Sequence, residues 1–432
     1  MTGLVPLVAS PYGGLRCGWQ LCDQLKSRMT ECRLATVIFC FVTFVCTDHI
    51  LTSAPIEVPS PRFMKCPLLL VTFYLLAGLT YAQTSKVDSL VIRKLKGLHV
   101  PGLATAKVEN GQVSWTRYYG FQDMEQKIPV TDSTVFHIAS ISKTVTAAAV
   151  MQLEAMGYFN LDDDINRFLP FRVINPSFPA TPITFRQLLR HRSSVTDNMD
   201  YLLPFWKNEY QGADIPLEMF LADYLSAGGK HYHANKNFAN AQPGSSFEYS
   251  NIGFALLGYL VERISKTPFD QYCKTHLFAP LEMHHTSWFL ETLESHRLAV
   301  PYQYSDSLGR YEKLPQGKYP DYPAGQLRCT VNDLAKFLAC WSNDGAYAGK
   351  RVIDAKSVQL LTPKDMSLGF HTWFMYLLNT ETPTYSHSGH GPGISTYMLY
   401  DPFSKKGLII LMNGELSDYF EWRKLIDLLW KS

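Results

Sequence analysis

Several features that mark common protein classes are missing from this sequence. Its 432 residues contain no CxxC pair, no GxxxxGK[ST] loop and no repeat of fixed period. The chain therefore gives no sign of a dithiol redox site, a phosphate-binding loop of that type or a solenoid. Neither sign of charge dominates, because 40 Lys and Arg residues balance 38 Asp and Glu residues. This near-neutrality gives no electrostatic reason to expect a nucleic-acid partner, and a 46% hydrophobic content can form a large core.

Cysteine is scarce beyond the N-terminal region. Five of the nine cysteines lie within residues 1–63, and only Cys273, Cys329 and Cys340 follow residue 83. Three cysteines in an exported protein allow at most one disulfide and one free thiol. We therefore do not expect disulfides to hold this fold together.

Residues 64–82 have the layout of a secretory signal peptide. A lone lysine precedes the apolar run LLLVTFYLLAGL, and a small-residue cleavage site ends at Ala82. We interpret residues 1–63 as a non-native N-terminal extension, with the true start at Met64. The alternative is a two-segment membrane anchor, but the run LATVIFCFVTFVC in the extension is short for a membrane span. We expect an exported protein, periplasmic or secreted, with no stable membrane span after cleavage.

The residues after the cleavage site alternate between strand and helix patterns. Apolar and polar residues alternate on both sides of Asn110-Gly111, a dipeptide typical of a hairpin turn. Apolar residues at three- and four-residue steps predict helices in ITFRQLLRH, PLEMFLADYL, NIGFALLGYLVERIS, TVNDLAKFLACW and YFEWRKLIDLLWK. Strands are predicted near the end in GFHTWFMYLL, ISTYMLYDP and KGLIILMN.

Strands at both ends around a mainly helical middle predict an α/β (α+β) fold. We expect a domain over residues 83–432 with a sheet subdomain formed by about 83–165 and 330–432. A mainly helical subdomain, about 166–329, is inserted between the two parts of the sheet.

One segment, VFHIASISKTVTAAAV, places a lysine where a helix disfavours it. Lys143 follows Ser140 by three residues at the start of an apolar helix that we expect to run to about Met156 and to end at Gly157. The helix dipole disfavours a cation there, and burial of an unpaired ammonium is costly. Residues at i and i+3 share a face, so the amine can meet the hydroxyl and accept its proton. The alternative is that Ser140 caps the helix and Lys143 extends to solvent.

Two further motifs follow in the chain. Tyr249-Ser250-Asn251 precedes the predicted helix NIGFALLGYL, and His387-Ser388-Gly389 lies in SHSGHGPGISTYMLY. In order and spacing, SISK, YSN and HSG resemble the motifs of the serine β-lactamase and penicillin-binding-protein superfamily. The resemblance is greatest to its class C β-lactamase and D-alanyl-D-alanine carboxypeptidase branch, and it covers about residues 90–430. It implies a β-lactamase/transpeptidase-like fold, an antiparallel sheet flanked by helices.

The resemblance also implies a role for each motif residue. Ser140 would be the acylated nucleophile, and Lys143 and Tyr249 would handle its proton, with the resting base left open. Asn251, His387, Ser388 and Gly389 would bind the substrate, and the backbone N–H groups of Ser140 and His390 would form the oxyanion hole. The substrate would be a small molecule or a peptide, such as one derived from the cell wall, and the reaction would need no cofactor and no metal.

Each motif also has an ordinary interpretation. Tyr249 could be a buried aromatic residue, and Ser250 or Asn251 could cap the next helix. The HSG segment could be a glycine turn with exposed histidines. Four other histidines lack acidic or third-histidine partners at metal-binding spacing, so we expect them to lie in loops: His231, His233, His284 and His285.

The third motif departs from that of many β-lactamases, which begin it with lysine where this chain has His387. With histidine there, binding of a substrate carboxylate would depend on protonation near neutral pH. We therefore favour a carboxypeptidase- or esterase-like serine hydrolase acting on D-amino-acid peptides, amides or esters. The alternatives are a class C-type β-lactamase and a non-catalytic penicillin-binding or sensor protein.

Overall fold

A computed structural model describes residues 86–207, 215–362, 384–416 and 418–432. The proposed extension, the signal peptide and the predicted strand GFHTWFMYLL lie outside the described residues. Among the described residues, no helix is long and apolar enough to cross a membrane.

The strands are short outside the main sheet. In chain order they are β1 Gly102–Glu109, β2 Gln112–Asp123, β3 Ile128–Pro129, β4 Val135–His137, β5 Thr286–Ser287, β6 Tyr302–Ser305, β7 Arg310–Lys313, β8 Arg328–Thr330, β9 Ala346–Tyr347, β10 Lys350–Arg351, β11 Tyr385–Gly391, β12 Ile394–Asp401 and β13 Lys406–Met412.

The α-helices include all five that the apolar spacing predicts. They are α1 Lys86–Gly97, α2 Ser142–Ala155, α3 Phe185–Leu189, α4 Met199–Trp206, α5 Leu217–Leu225, α6 Ala234–Asn237, α7 Asn251–Ser265, α8 Phe269–Cys273, α9 Val331–Ser342, α10 Ala355–Leu361 and α11 Tyr419–Trp430. Single 3₁₀ turns at Ala139–Ile141 and Tyr322–Ala324 border the candidate site.

The main sheet joins the two ends of the described chain. Its six strands pair antiparallel in the order β11-β12-β13-β1-β2-β3. At the β1–β2 turn, Asn110 and Gly111 have φ of 52° and 74°, the left-handed pair that a type I′ hairpin requires. The predicted hairpin and the predicted antiparallel fold are confirmed.

Alternate residues of the central strands pack on opposite faces of this sheet. Ala104 and Leu411 belong to the large core that includes α2, α7 and α9, whereas Leu103 and Ile410 belong to a smaller core under α1 and α11. Period-two alternation in a strand produces this division, because successive side chains point to opposite faces. The sheet is therefore covered by helices on both faces, while the division of 83–432 into two subdomains stays a prediction.

Candidate active site

The turn before α2 differs from the sequence-based expectation in one respect. Ser140 lies in the 3₁₀ turn, and the α-helix begins only at Ser142. Ser140 and Lys143 therefore lie on either side of the junction between the 3₁₀ turn and the helix, and their side chains still meet at the i, i+3 spacing. The other end is as predicted, with Gly157 following the helix at a φ of 81°.

The backbone before Ser140 is strained. Ala139 has a φ of 47° although it carries a Cβ, and such left-handed residues cluster at functional sites. The buried Ser142 Oγ holds this turn, because it donates to the Ala139 carbonyl at 2.6 Å and accepts from the Leu327 N–H at 3.1 Å. Ser140 is therefore held in place by contacts with a segment almost 190 residues away.

Lys143 is completely buried, so the alternative in which it extends to solvent is wrong. Its Nζ lies 3.1 Å from Ser140 Oγ, 2.6 Å from Asn251 Oδ1 and 2.7 Å from the Ala324 carbonyl oxygen. The last two partners are acceptors only, and each takes an N–H of the amine. The remaining position of the nitrogen, an N–H or a lone pair, is thereby directed at the serine hydroxyl.

Asp197 orients Asn251, and the motif analysis missed it. Its carboxylate accepts from the Asn251 side-chain amide at 2.8 Å and from the backbone N–H groups of Asn251 and Ile252 at 2.9 and 3.1 Å. Ser250 Oγ caps the same helix by accepting from the Gly253 N–H at 2.9 Å. The Asn251 amide has a fixed orientation, because its nitrogen donates to the Asp197 carboxylate and its Oδ1 is left to accept from Lys143.

Tyr249 lies against Lys143 and is partly open to solvent. The amine is 4.9 Å from the centroid of the phenol ring, and the side chain is 36% exposed, so the interpretation as an ordinary buried aromatic is wrong. His191 stacks on this ring at 4.5 Å, and its Nδ1 accepts from the Ser250 N–H at 3.1 Å. His191 was not singled out from the sequence.

The HSG segment forms β11, which lies at one end of the described strand order. A Cβ on Gly389 would lie 2.4 Å from the Ile138 carbonyl oxygen, so glycine lets this strand approach the turn that carries Ser140. His387 is buried, with Nδ1 2.8 Å from the Ser388 carbonyl oxygen. Desolvation lowers the pKa of His390 below its ordinary value, an effect that Glu415 opposes. The HSG motif is therefore part of a strand beside the turn that carries Ser140, and His387 is buried; the alternative holds only for His390, which is exposed, and for the turn at Pro392 and Gly393 that follows.

Asp321 is a buried carboxyl group at the edge of this site. It precedes the 3₁₀ turn that contains Ala324, and Trp206 Nε1 donates to its two oxygens at 3.3 and 3.2 Å. Its pKa is raised to about 6, mainly by burial and also by the Asp197 carboxylate, while Lys143 and the Trp206 hydrogen bond act to lower it. The site therefore contains a carboxyl group that changes charge near neutral pH, which no motif indicated.

Replacement of Asp197 by alanine is expected to weaken both the fold and the site. The change leaves the first N–H groups of α7 without their acceptor, which costs about 2 kcal/mol, and it frees the Asn251 amide to rotate away from Lys143. Urea unfolding measures the first effect, and ester turnover measures the second. Asp354→Ala is the matched control, because Asp354 caps α10 by accepting from two backbone N–H groups. Equal turnover of the two variants would contradict the assigned role of Asp197.

The remaining predictions from the sequence concern Ser388, the oxyanion hole and the histidines outside the three motifs. Ser388 is half-buried on β11, and the pairing of the Ser140 and His390 N–H groups as an oxyanion hole stays a prediction. His231 stacks on Tyr201 at 4.2 Å, and Arg297 Nη1 lies 3.2 Å from a ring nitrogen of His285. Across the described ranges, no three His, Cys, Asp or Glu residues are grouped to hold a metal ion.

Known proteins share this fold at 20–25% sequence identity. Protein flp of Staphylococcus aureus strain MW2 is 25% identical to this chain over 337 residues, which are 78% of this chain and 64% of flp. The chain therefore spans less than two thirds of that relative's length. An octameric penicillin-binding-protein homologue from Pyrococcus abyssi superposes with a TM-score of 0.63 at 24% identity, over 81% of this chain and 78% of that one. A D-alanine carboxypeptidase from Burkholderia cenocepacia superposes with a TM-score of 0.60 at 20% identity, over 81% of this chain and 100% of that one. The model of the Beta-lactamase family matches residues 87–429, well over half of the sequence, and the protein therefore belongs to the Beta-lactamase family.

Proposed function

We propose that this protein is an exported serine hydrolase that forms an acyl-enzyme on Ser140. Its substrates are D-amino-acid peptides, amides or esters, and its activity is carboxypeptidase- or esterase-like. The observation that carries the proposal is the position of Lys143, whose two acceptor partners direct its nitrogen at Ser140 Oγ over 3.1 Å. A buried amine fixed on a serine hydroxyl is the arrangement that nucleophilic catalysis needs.

In the first half of the reaction, Ser140 Oγ bonds to the substrate carbonyl carbon as its proton passes to the Lys143–Tyr249 pair. The negative charge that develops on the carbonyl oxygen is stabilised by the Ser140 and His390 N–H groups. Collapse of the tetrahedral intermediate breaks the bond to the leaving group, which takes the proton back through Tyr249. Asn251 and β11, with His387, Ser388 and Gly389, hold the substrate on either side.

In the second half, water attacks the acyl carbon and the same pair accepts its proton. The Ser140 ester bond breaks, the serine regains a proton, and the acid product leaves. The two halves use the same groups in opposite directions, so a single fixed pair serves both.

The test is intact-mass analysis of the purified protein after incubation with benzylpenicillin, with the modified peptide mapped and Ser140→Ala as control. A lasting adduct on Ser140, together with turnover of small activated esters, is the expected result. An adduct that decays while hydrolysed drug accumulates identifies a class C-type β-lactamase instead. If neither penicillin nor esters acylate Ser140, the enzyme proposal fails and a non-catalytic binding or sensor protein takes its place.

A further inference from the structure

His191 ends α3 in a backbone conformation that favours glycine. The His191 N–H donates to the Leu188 carbonyl at 3.0 Å. The Arg192 N–H donates to the Gln187 carbonyl at 2.7 Å. Together these bonds form a Schellman motif, in which His191 takes the left-handed position with a φ of 53°. Glycine is the usual residue there, followed by asparagine, so the ending of the helix does not account for an imidazole.

The same residue holds the backbone on both sides of Tyr249. The His191 carbonyl accepts from the Glu248 N–H at 2.7 Å, and the His191 Nδ1 accepts from the Ser250 N–H at 3.1 Å. Since a backbone N–H can only donate, Nδ1 carries no hydrogen and the imidazole is neutral, with its hydrogen on Nε2. The residues immediately before and after Tyr249 are therefore both bonded to His191.

The imidazole also restrains the side chain between these two bonds. It stacks on the Tyr249 phenol with ring centroids 4.5 Å apart and planes inclined by 28°. The imidazole is itself buried, and the Phe254 ring of α7 lies against it at a centroid distance of 4.9 Å. An aromatic ring that is 36% exposed, as Tyr249 is, can change rotamer quickly unless a neighbour restricts it. The stack supplies this restriction.

The position of the phenol decides whether it can exchange a proton with its partners. Lys143 is fixed by its bonds to Asn251 and to the Ala324 carbonyl, and its Nζ lies 4.9 Å from the Tyr249 ring centroid. The phenol is the other member of the proton-handling pair, and the contacts of His191 place it there. Misplacement of a catalytic group by about 1 Å can cost about a hundredfold in rate.

We propose that His191 is a positioning residue of the reaction, which holds the Tyr249 phenol beside Lys143 and Ser140. It acts on the reaction through Tyr249. This inference rests on the proposed function, because it requires Tyr249 to carry the proton between Ser140 and the leaving group. It adds to the site a residue that lies in none of the three motifs.

The test is His191→Asn, assayed with p-nitrophenyl acetate. Asparagine tolerates the left-handed backbone, and its Oδ1 can replace Nδ1 as the acceptor for the Ser250 N–H, so the change removes mainly the stacked ring. We expect kcat/KM to fall at least about tenfold while circular dichroism shows an intact fold. His191→Gly, which also suits this backbone, is a second variant in case the first fails to fold. It loses the acceptor as well as the ring and should be at least as slow.

A double variant separates positioning of the phenol from general support of the fold. If His191 acts through the phenol, His191→Asn should slow Tyr249→Phe no further, because the hydroxyl that it positions is already absent. Turnover above that of Ser140→Ala is the quantity compared. If the two losses multiply instead, His191 acts independently of the Tyr249 hydroxyl and the proposal is overturned.

His99→Asn is the matched control. His99 has the same φ of 53° and stacks on Tyr304 of β6 at 3.6 Å, among residues that the mechanism does not use. This variant should keep the wild-type rate, and an equal loss in His99→Asn and His191→Asn would overturn the proposal. So would a wild-type rate in His191→Asn or His191→Gly.

The failure of this inference differs from that of the proposed function. If Tyr249→Phe abolishes turnover but the His191 variants keep the wild-type rate, only the positioning role is lost. If the wild type shows neither ester turnover nor a Ser140 adduct, the proposed function fails and the role of His191 fails with it.

Discussion

Ser140→Ala is expected to lower kcat for ester hydrolysis by about a thousandfold or more, since it removes the hydroxyl that we propose carries the acyl group. Lys143→Ala removes the nitrogen directed at the hydroxyl, and Tyr249→Phe removes the phenol that we propose returns the proton. Each of these single changes is expected to abolish most turnover while circular dichroism shows an intact fold.

A sharper test is the double variant. If the serine and the lysine act as one unit, Ser140→Ala combined with Lys143→Ala should be no slower than Ser140→Ala alone, because groups that act together are strongly non-additive. Ser133→Ala, a serine bonded only to Thr131 near β4, is the control and should keep the wild-type rate. Near-normal turnover in any single variant would remove that residue from the mechanism.

Asp321→Asn is expected to stabilise the protein by about 3 kcal/mol at pH 8. Burial raises the pKa of Asp321 from 3.8 to about 6, so the folded state binds its proton more tightly than the unfolded state does. Its contribution to stability is therefore most favourable below pH 4 and is lost as the pH rises through about 6. Asparagine is uncharged, can still accept from Trp206 and avoids that loss.

Urea unfolding at pH 4 and pH 8 measures this difference, which should shrink below about 1 kcal/mol at the lower pH. Asp200→Asn is the control, because that carboxylate is exposed and paired with Lys236, and its replacement should change the free energy of unfolding little at either pH. If Asp321→Asn is equally stabilised at both pH values, or is destabilised at pH 8, then burial of the ionised Asp321 carboxylate does not destabilise the fold. A stability gain combined with slower turnover would show that the site retains this carboxylate at the expense of stability.

Local patterns in the sequence predicted most of the fold. The hairpin at Asn110-Gly111 was readable because two left-handed residues in succession are rare outside such turns. The spacing in YFEWRKLIDLLWK predicted a helix because Trp422, Leu425, Ile426 and Leu429 form one face on a core. NIGFALLGYLVERIS was readable as a helix although it is buried on all sides from Ile252 to Val261. The 3₁₀ turn at Ser140 was not readable, because contacts from the distant Leu327 segment hold it.

The candidate site was predicted only as far as local spacing reaches. Ser140, Lys143, Tyr249 and Asn251 belong to short motifs, and the structure places the amine of Lys143 in contact with the other three. The Ala324 carbonyl is a backbone group that any residue type could supply, so the residue type at position 324 does not indicate that it contacts Lys143. Asp197 and His191 act through helix capping and ring stacking across 50 or more residues of chain, relations that a single sequence does not display.

The main sheet also has a consequence for how the chain is made. β1 pairs with β13 from Leu103 opposite Met412 to Glu109 opposite Lys406. β1 therefore cannot form this pairing until some 300 further residues have been synthesised. At about 5–20 residues per second this delay is roughly 15–60 s, during which the β1–β2 hairpin has one edge unpaired. The sheet of a nascent chain therefore stays open at this edge until β13 has been synthesised. Chaperones have that interval to bind the unpaired edge before the sheet closes.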